Sequence, residues 1–113
     1  MIIFVQIIRK RLTMRDKVVI VTGASSGIGK ALVYELARQK AKIAIASRNI
    51  EELLRIEEDL KKQGTDILPV RTDVTKEIAC KELIEQTYAH FGRIDVLINN
   101  AGISMRALLQ DLD

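Results

Sequence analysis

Along the chain, short continuous apolar runs alternate with stretches in which apolar side chains recur every three or four positions. The runs predict strands at 17–22, 42–46, 66–71 and 94–98, and the longer period predicts helices at 27–40, 50–63 and 75–91. In the first helix Ile28, Leu32, Val33, Leu36 and Ala37 share a stripe, and in the second Leu53, Leu54, Ile56 and Leu60 do. The third carries Ile78, Leu83, Ile84, Thr87 and Phe91 before Gly92. Gly64 is placed to cap the second helix and Thr75 to open the third. Beyond Lys42 the second strand is all Ile and Ala, suited to burial on both faces, whereas Pro69 marks the third as an edge strand or strand end. The last ten residues can begin a further helix. Strict strand–helix alternation predicts βαβ units and a parallel sheet, with helices one and two on one face and helix three on the other. Alone on its face, helix three is expected to leave apolar side chains of strands one and four exposed.

Composition and charge narrow the function classes. With 113 residues, 48% hydrophobic and 29% charged, the chain is ordinary for one α/β domain. The net charge of +3 is local: Arg9, Lys10 and Arg11 fall in the first thirteen residues, which hold no acid, and from Met14 onward the charges balance. The basic balance therefore gives no reason to expect a nucleic-acid partner. Residues 1–13 read as an extension before a domain at 14–113. Their apolar run, Met1 to Ile8, is shorter than the roughly 20 residues that span a bilayer, and a signal peptide would put its charges first. A single short apolar segment gives only marginal anchoring, so a cytoplasmic protein is expected, with weak membrane-surface association through Arg9 to Arg11 as the alternative. One cysteine, Cys80, excludes a disulfide framework and a cysteine metal cluster, and no metal ligand set is assigned. Cys80 is expected to be buried and inert, and His90 to lie on the surface near a helix end.

Chemistry concentrates at four strand ends. The first strand runs into Gly23-Ala24-Ser25-Ser26-Gly27-Ile28-Gly29 and then directly into a helix. Such a turn offers free backbone N–H groups and the positive end of a helix dipole, which suits a nucleotide pyrophosphate. The other ends carry Ser47-Arg48-Asn49, Thr72-Asp73-Val74 and Asn99-Asn100-Ala101-Gly102. All four belong to the carboxyl edge of a parallel sheet, where ligands of doubly wound folds bind.

Taken together, Thr22-Gly23-Ala24-Ser25-Ser26-Gly27-Ile28-Gly29, Asp73-Val74 and Asn99-Asn100-Ala101-Gly102 closely resemble the short-chain dehydrogenase/reductase family over 16–102. The resemblance implies a Rossmann-type doubly wound parallel sheet, βαβαβαβ here, truncated after the fourth strand. It also implies NAD(P)-linked hydride transfer between an alcohol and a carbonyl, and a homo-oligomer in full-length form. By motif, Gly23, Ser25, Ser26, Gly27, Ile28 and Gly29 would hold the pyrophosphate and adenosine ribose. Asp73 and Val74 would meet the adenine, and Asn100, Ala101 and Gly102 the nicotinamide half. Asn99 would be structural. Asp73 has a second reading, as the cap of the turn into the third helix.

The end of strand two bears on the cofactor form. NAD sites of this design place an acid there to bond the ribose 2′-hydroxyl. This chain has Ser47, Arg48 and Asn49, and a hydroxyl with a guanidinium accepts a 2′-phosphate, so NADP(H) is expected over NAD(H). The family's serine and Tyr-x-x-x-Lys pair lie beyond the fourth strand. Here Tyr34 is followed four residues later by Arg38 and Tyr88 by Gly92, so no catalytic residue is assigned. Two functions stay open: the cofactor-binding portion of an oxidoreductase acting on a small alcohol or carbonyl, or an inactive nucleotide-binding or interaction module.

Overall fold

The structure, a computed structural model, describes residues 13–100. Apart from Thr13, the expected N-terminal extension lies outside the described residues, as do the expected last helix, Ala101 and Gly102. Seven elements follow one another: β1 (Val18–Thr22), α1 (Gly27–Arg38), β2 (Lys42–Ser47), α2 (Ile50–Lys61), β3 (Ile67–Arg71), α3 (Glu77–Phe91) and β4 (Val96–Asn99). All described strand pairs are parallel, in the order β3-β2-β1-β4. This is the expected Rossmann-type arrangement, with β1 and β2 in the middle and Pro69 on an edge. The Ile43 N–H donates to Asp66 O at 3.0 Å and the Thr72 N–H to Ser47 O at 2.8 Å. In a parallel ladder that alternation sets the even residues of β3 toward β2, so the imide nitrogen of Pro69 faces the outer edge.

Helix ends depart from the periodicity for local reasons. α1 stops at Arg38 rather than residue 40, because Lys40 turns left-handed at φ 69°. Its N–H and that of Ala41 reach back to Ala37 O and Leu36 O, the bond pair of a Schellman turn. Gly64 (φ 86°) closes α2 in the same way two residues beyond the cap position, which is Lys62 rather than Gly64 itself. α3 opens at Glu77 and not at Thr75, whose hydroxyl is bonded to Asp73 instead of the helix.

The pleat sorts side chains into two layers. Val19, Val21, Ile43, Ile45 and Ile67 pack with Val33 and Leu36 of α1 and with Leu53, Ile56 and Leu60 of α2. On the other face Ile20, Ala44, Ala46 and Val70 pack with Cys80, Leu83 and Ile84 of α3. All five β1 residues are buried, contrary to the expectation that this strand would be partly exposed. On the α3 side, Leu97 with Ile94 and Phe91 covers what the helix alone does not. Val96 and Leu97 of β4 are half-buried. Three residues assigned to buried stripes are exposed: Ile28, Leu54 and Ile78, at 52%, 47% and 65%. At roughly 100° per residue, Leu54 sits off the Leu53–Ile56–Leu60 line and Ile78 lies about opposite Cys80, so each points away from the sheet.

At the amino edge, Asp95 fastens β4 to β1. Its Oδ2 accepts from the Val18 N–H at 2.9 Å, its own N–H donates to Val18 O at 2.9 Å, and its Oδ1 pairs with Arg93 at 2.7 Å. The Arg93 bond first, then the Val18 amide, holds the Asp95 carboxyl below the usual carboxylate range. A depressed folded-state value contributes stability that is present above the unfolded pKa and lost as pH falls through the folded one. Asp95→Ala is expected to lower unfolding stability by about 1 kcal/mol at neutral pH, mostly from the amide bond, with the exposed ion pair adding little. In urea titrations the difference from wild type should shrink below about pH 4, where the wild-type carboxylate also protonates; a pH-independent gap contradicts the assignment. Lys40→Gly should raise stability by about 0.5–1 kcal/mol, because the relief of left-handed strain exceeds the added unfolded-state entropy. A loss of stability in the same titration would show that the Lys40 side chain contributes more than its backbone strain costs.

Candidate functional site

At the carboxyl edge, β1 ends in Thr22 and turns at Gly23 into α1. The turn lies so close to the helix that a Cβ on Gly29 would stand 2.0 Å from Gly23 O. Only glycine allows this approach. Gly27 poses the opposite case: its φ is 58°, but nothing stands within 4 Å of where a Cβ would be. The space above Gly27 is open, and the helix beneath it begins without a side-chain cap on Ser26 and without an acid in its first turn. The first N–H groups of a helix have no intrahelical partner, so the amides at the start of α1 are left for an external acceptor, while the Ala24 N–H donates to Ala46 O at 3.1 Å. α2 starts at the same edge in a different state. The Asn49 side chain accepts from the Glu52 N–H at 3.1 Å, and Glu51 and Glu52 fill the first turn.

β4 is tied to this turn by side chains. The Thr22 hydroxyl donates to Asn99 Oδ1 and accepts from the Asn100 N–H, both at 2.9 Å. Asn100 Nδ2 donates to Gly23 O at 3.3 Å, and Asn100 Oδ1 is buried without a hydrogen-bond partner among the described residues. The Thr22 link escaped the sequence reading, since its partners lie 77 and 78 residues away.

A cleft of about 430 Å³ opens beside these groups. It is lined by Gly23 and Ser25 of the turn, by Ser47, Arg48 and Asn49 after β2, and by Thr72 to Thr75 after β3. The structure thus brings seven of the fourteen residues expected to hold the cofactor to one hollow. Ser26, Gly27, Ile28, Gly29 and Asn100 belong to the adjoining turn and β4 end rather than to this lining. Ser47 is buried, and its Oγ accepts from the Asn49 N–H at 3.0 Å, which leaves its O–H free to donate. Arg48 is exposed. Asp73 Oδ1 accepts from both the N–H and the hydroxyl of Thr75, at 3.0 and 2.6 Å. The Thr75 bonds, with Arg48 and Lys76 nearby, hold the Asp73 carboxyl below its ordinary value, so it stays anionic. Thr75 was read from sequence only as a cap; the Asp-x-Thr spacing was the available sign of its turn.

Other titratable groups serve the frame. The Tyr34 hydroxyl donates to Asp59 at 2.8 Å, and burial first, then that bond, push its pKa up to about 12. A phenol held this way is a link between α1 and α2. Cys80 is buried with its thiol raised by desolvation, and His90 is exposed, 3.6 Å from Asp66. Among the described residues no three His, Cys, Asp or Glu side chains converge for a metal, and no helix is long and apolar enough to cross a membrane.

Comparison with known proteins decides between a generic doubly wound sheet and a particular lineage: residues 17–113 match the short chain dehydrogenase family. The chain belongs to the short-chain dehydrogenases. It is 42% identical over 98 residues to 11-beta-hydroxysteroid dehydrogenase A of Sesamum indicum, an overlap covering 86% of this chain and 28% of that protein. Among solved structures, a short-chain dehydrogenase/reductase from Burkholderia phymatum in complex with NAD superposes with a TM-score of 0.73 at 29% identity, over 76% of this chain and 31% of that one. An alcohol dehydrogenase from Thermococcus sibiricus complexed with 5-hydroxy-NADP gives 0.71 at 33% identity, over 74% and 36%. The chain spans only about a third of the length of the short-chain dehydrogenases it matches. Short-chain dehydrogenases bind nicotinamide dinucleotides, and the uncapped start of α1, the open space over Gly27 and the adjoining cleft fit such a ligand.

The two glycines should respond differently to the same substitution. Gly29→Ala is expected to cost about 2–3 kcal/mol, because the Gly23 carbonyl must move. Gly27→Ala should cost about 1–2 kcal/mol, from backbone strain alone. Urea unfolding of both variants checks this, and equal losses would contradict the close approach at Gly29.

Proposed function

We propose that this chain is the NADP(H)-binding portion of a cytoplasmic short-chain dehydrogenase that interconverts an alcohol and a carbonyl. The observation that carries the reading is the joint opening, onto one edge, of the uncapped α1 start and the cleft at Ser47-Arg48. The bound nicotinamide supplies the hydride acceptor and donor. The chain's own residues hold and orient: the free amides at the start of α1 take the pyrophosphate, and Asp73 and Val74 the adenine. Asn100, Ala101 and Gly102 take the nicotinamide half. Relatives with both NAD and NADP exist, so the preference is argued from this chain. At the end of β2 there is no carboxylate to bond a 2′-hydroxyl or repel a phosphate. The Ser47 hydroxyl and the Arg48 guanidinium instead offer donors to a dianion.

A second reading, binding without turnover, is supported by the state of the tyrosines. Tyr34 is fixed to Asp59 with a raised pKa, and Tyr88 has Gly92 where a lysine would lower it. The 113-residue chain alone is accordingly expected to bind without oxidising NADPH, and an assay with a panel of carbonyl compounds tests that directly.

Cofactor form is tested by fluorescence titration of the chain with NADPH and NADH. Arg48→Ala should weaken NADPH by about ten- to a hundredfold and NADH by less than about threefold. Ser47→Asp should shift preference further toward NADH. Equal weakening of both cofactors by Arg48→Ala would sink the NADP(H) assignment.

A further inference from the structure

Thr75 directs two donors at one atom. Its N–H and its hydroxyl both reach Asp73 Oδ1, at 3.0 and 2.6 Å, while Asp73 Oδ2 has no hydrogen-bond partner among the described residues. Both residues line the cleft. The hydroxyl is not needed to start the helix, since α3 opens at Glu77 behind Lys76 with no side-chain cap. Nor is it buried in the core, because Thr75 is exposed. What the second bond adds is restraint: with Oδ1 pinned twice, the carboxylate cannot rotate freely, and Oδ2 is the acceptor left to the cleft. An ionised carboxylate accepts and never donates, so it takes an exocyclic amine and rejects a carbonyl oxygen at the same place.

We infer that Thr75 is a positioning residue for base selection. By pinning Oδ1 of Asp73 it aims Oδ2 at the amino edge of a purine and sets the preference for an adenine over a hypoxanthine dinucleotide. The inference rests on the dinucleotide reading above, with the base at Asp73-Val74. It adds a determinant that lies outside the residues assigned to the cofactor.

Isothermal titration of the full chain with NADP⁺ and with nicotinamide hypoxanthine dinucleotide phosphate tests it, using wild type, Thr75→Val and Thr75→Ser. Wild type should favour the adenine form by about tenfold or more, the range of a hydrogen bond to a charged group. Thr75→Val keeps the shape and loses the hydroxyl, and the preference should fall to within about threefold without a change in melting temperature. Thr75→Ser should restore it, which a merely structural role would not require. A wild-type chain that binds NADP⁺ with a preference unmoved by Thr75→Val overturns the role of Thr75 and leaves the dinucleotide reading standing. A preference lost in Thr75→Ser as well overturns the role of the hydroxyl, and binding of neither dinucleotide overturns both readings.

Discussion

One carbonyl oxygen, that of Gly23, is the point on which the carboxyl edge depends. α1 leans on it so closely that residue 29 has room for no side chain, and Asn100 of the β4 end donates to the same atom. Helix, first strand and fourth strand therefore meet within hydrogen-bond or contact distance of a single backbone group. The Thr22 hydroxyl, one residue earlier, makes a second tie between the same two strands. Local and distant constraints fall on adjacent residues, so the turn between them has little freedom. A turn held in this way keeps its unpaired amides aimed at one place before any ligand arrives, which lowers the entropy lost on binding.

Two helices begin at this edge, and the chain treats them oppositely. α1 is left bare: the Ser26 side chain makes no cap bond, and glycines stand in the first turn where acids would otherwise be. α2 is closed by Asn49 and carries Glu51 and Glu52. Glu52 is itself bonded to Lys30 of α1 and Arg55, with the Lys30 bond foremost in holding its carboxyl below the ordinary range. A carboxylate compensated by two cations repels little, so the acidic turn of α2 does not cancel the pull of the α1 terminus. The exposed Arg48 stands between the two helices in sequence and is free of that network among the described residues.

Much of this was legible in the sequence where the physics is local. Alternating periods placed all seven elements, because continuous apolar runs and three-to-four spacing are properties of short windows. The glycine turn was legible for the same reason, and Pro69 announced an edge. Legibility failed where a neighbour in space decides. Leu54 and Ile78 lie off the stripes that α2 and α3 turn to the sheet, and apolarity alone did not separate them from the residues that are buried. Lys40 carries no mark of the left-handed backbone it adopts, which the descent of the chain from α1 into β2 imposes. Thr75 offered a hydroxyl at a plausible cap position, and Asp73, two residues back, took it instead.

The outward-facing nitrogen of Pro69 gives the sheet a direction of growth. On the β3 side, a strand trying to add would meet a missing donor and a ring at the centre of the edge. At the β4 side, Val96 to Asn99 hold no proline, lysine or glycine that would discourage a new neighbour. Among the described residues, growth of the ladder is therefore obstructed at the β3 flank, where the missing donor sits at the centre of the outer strand.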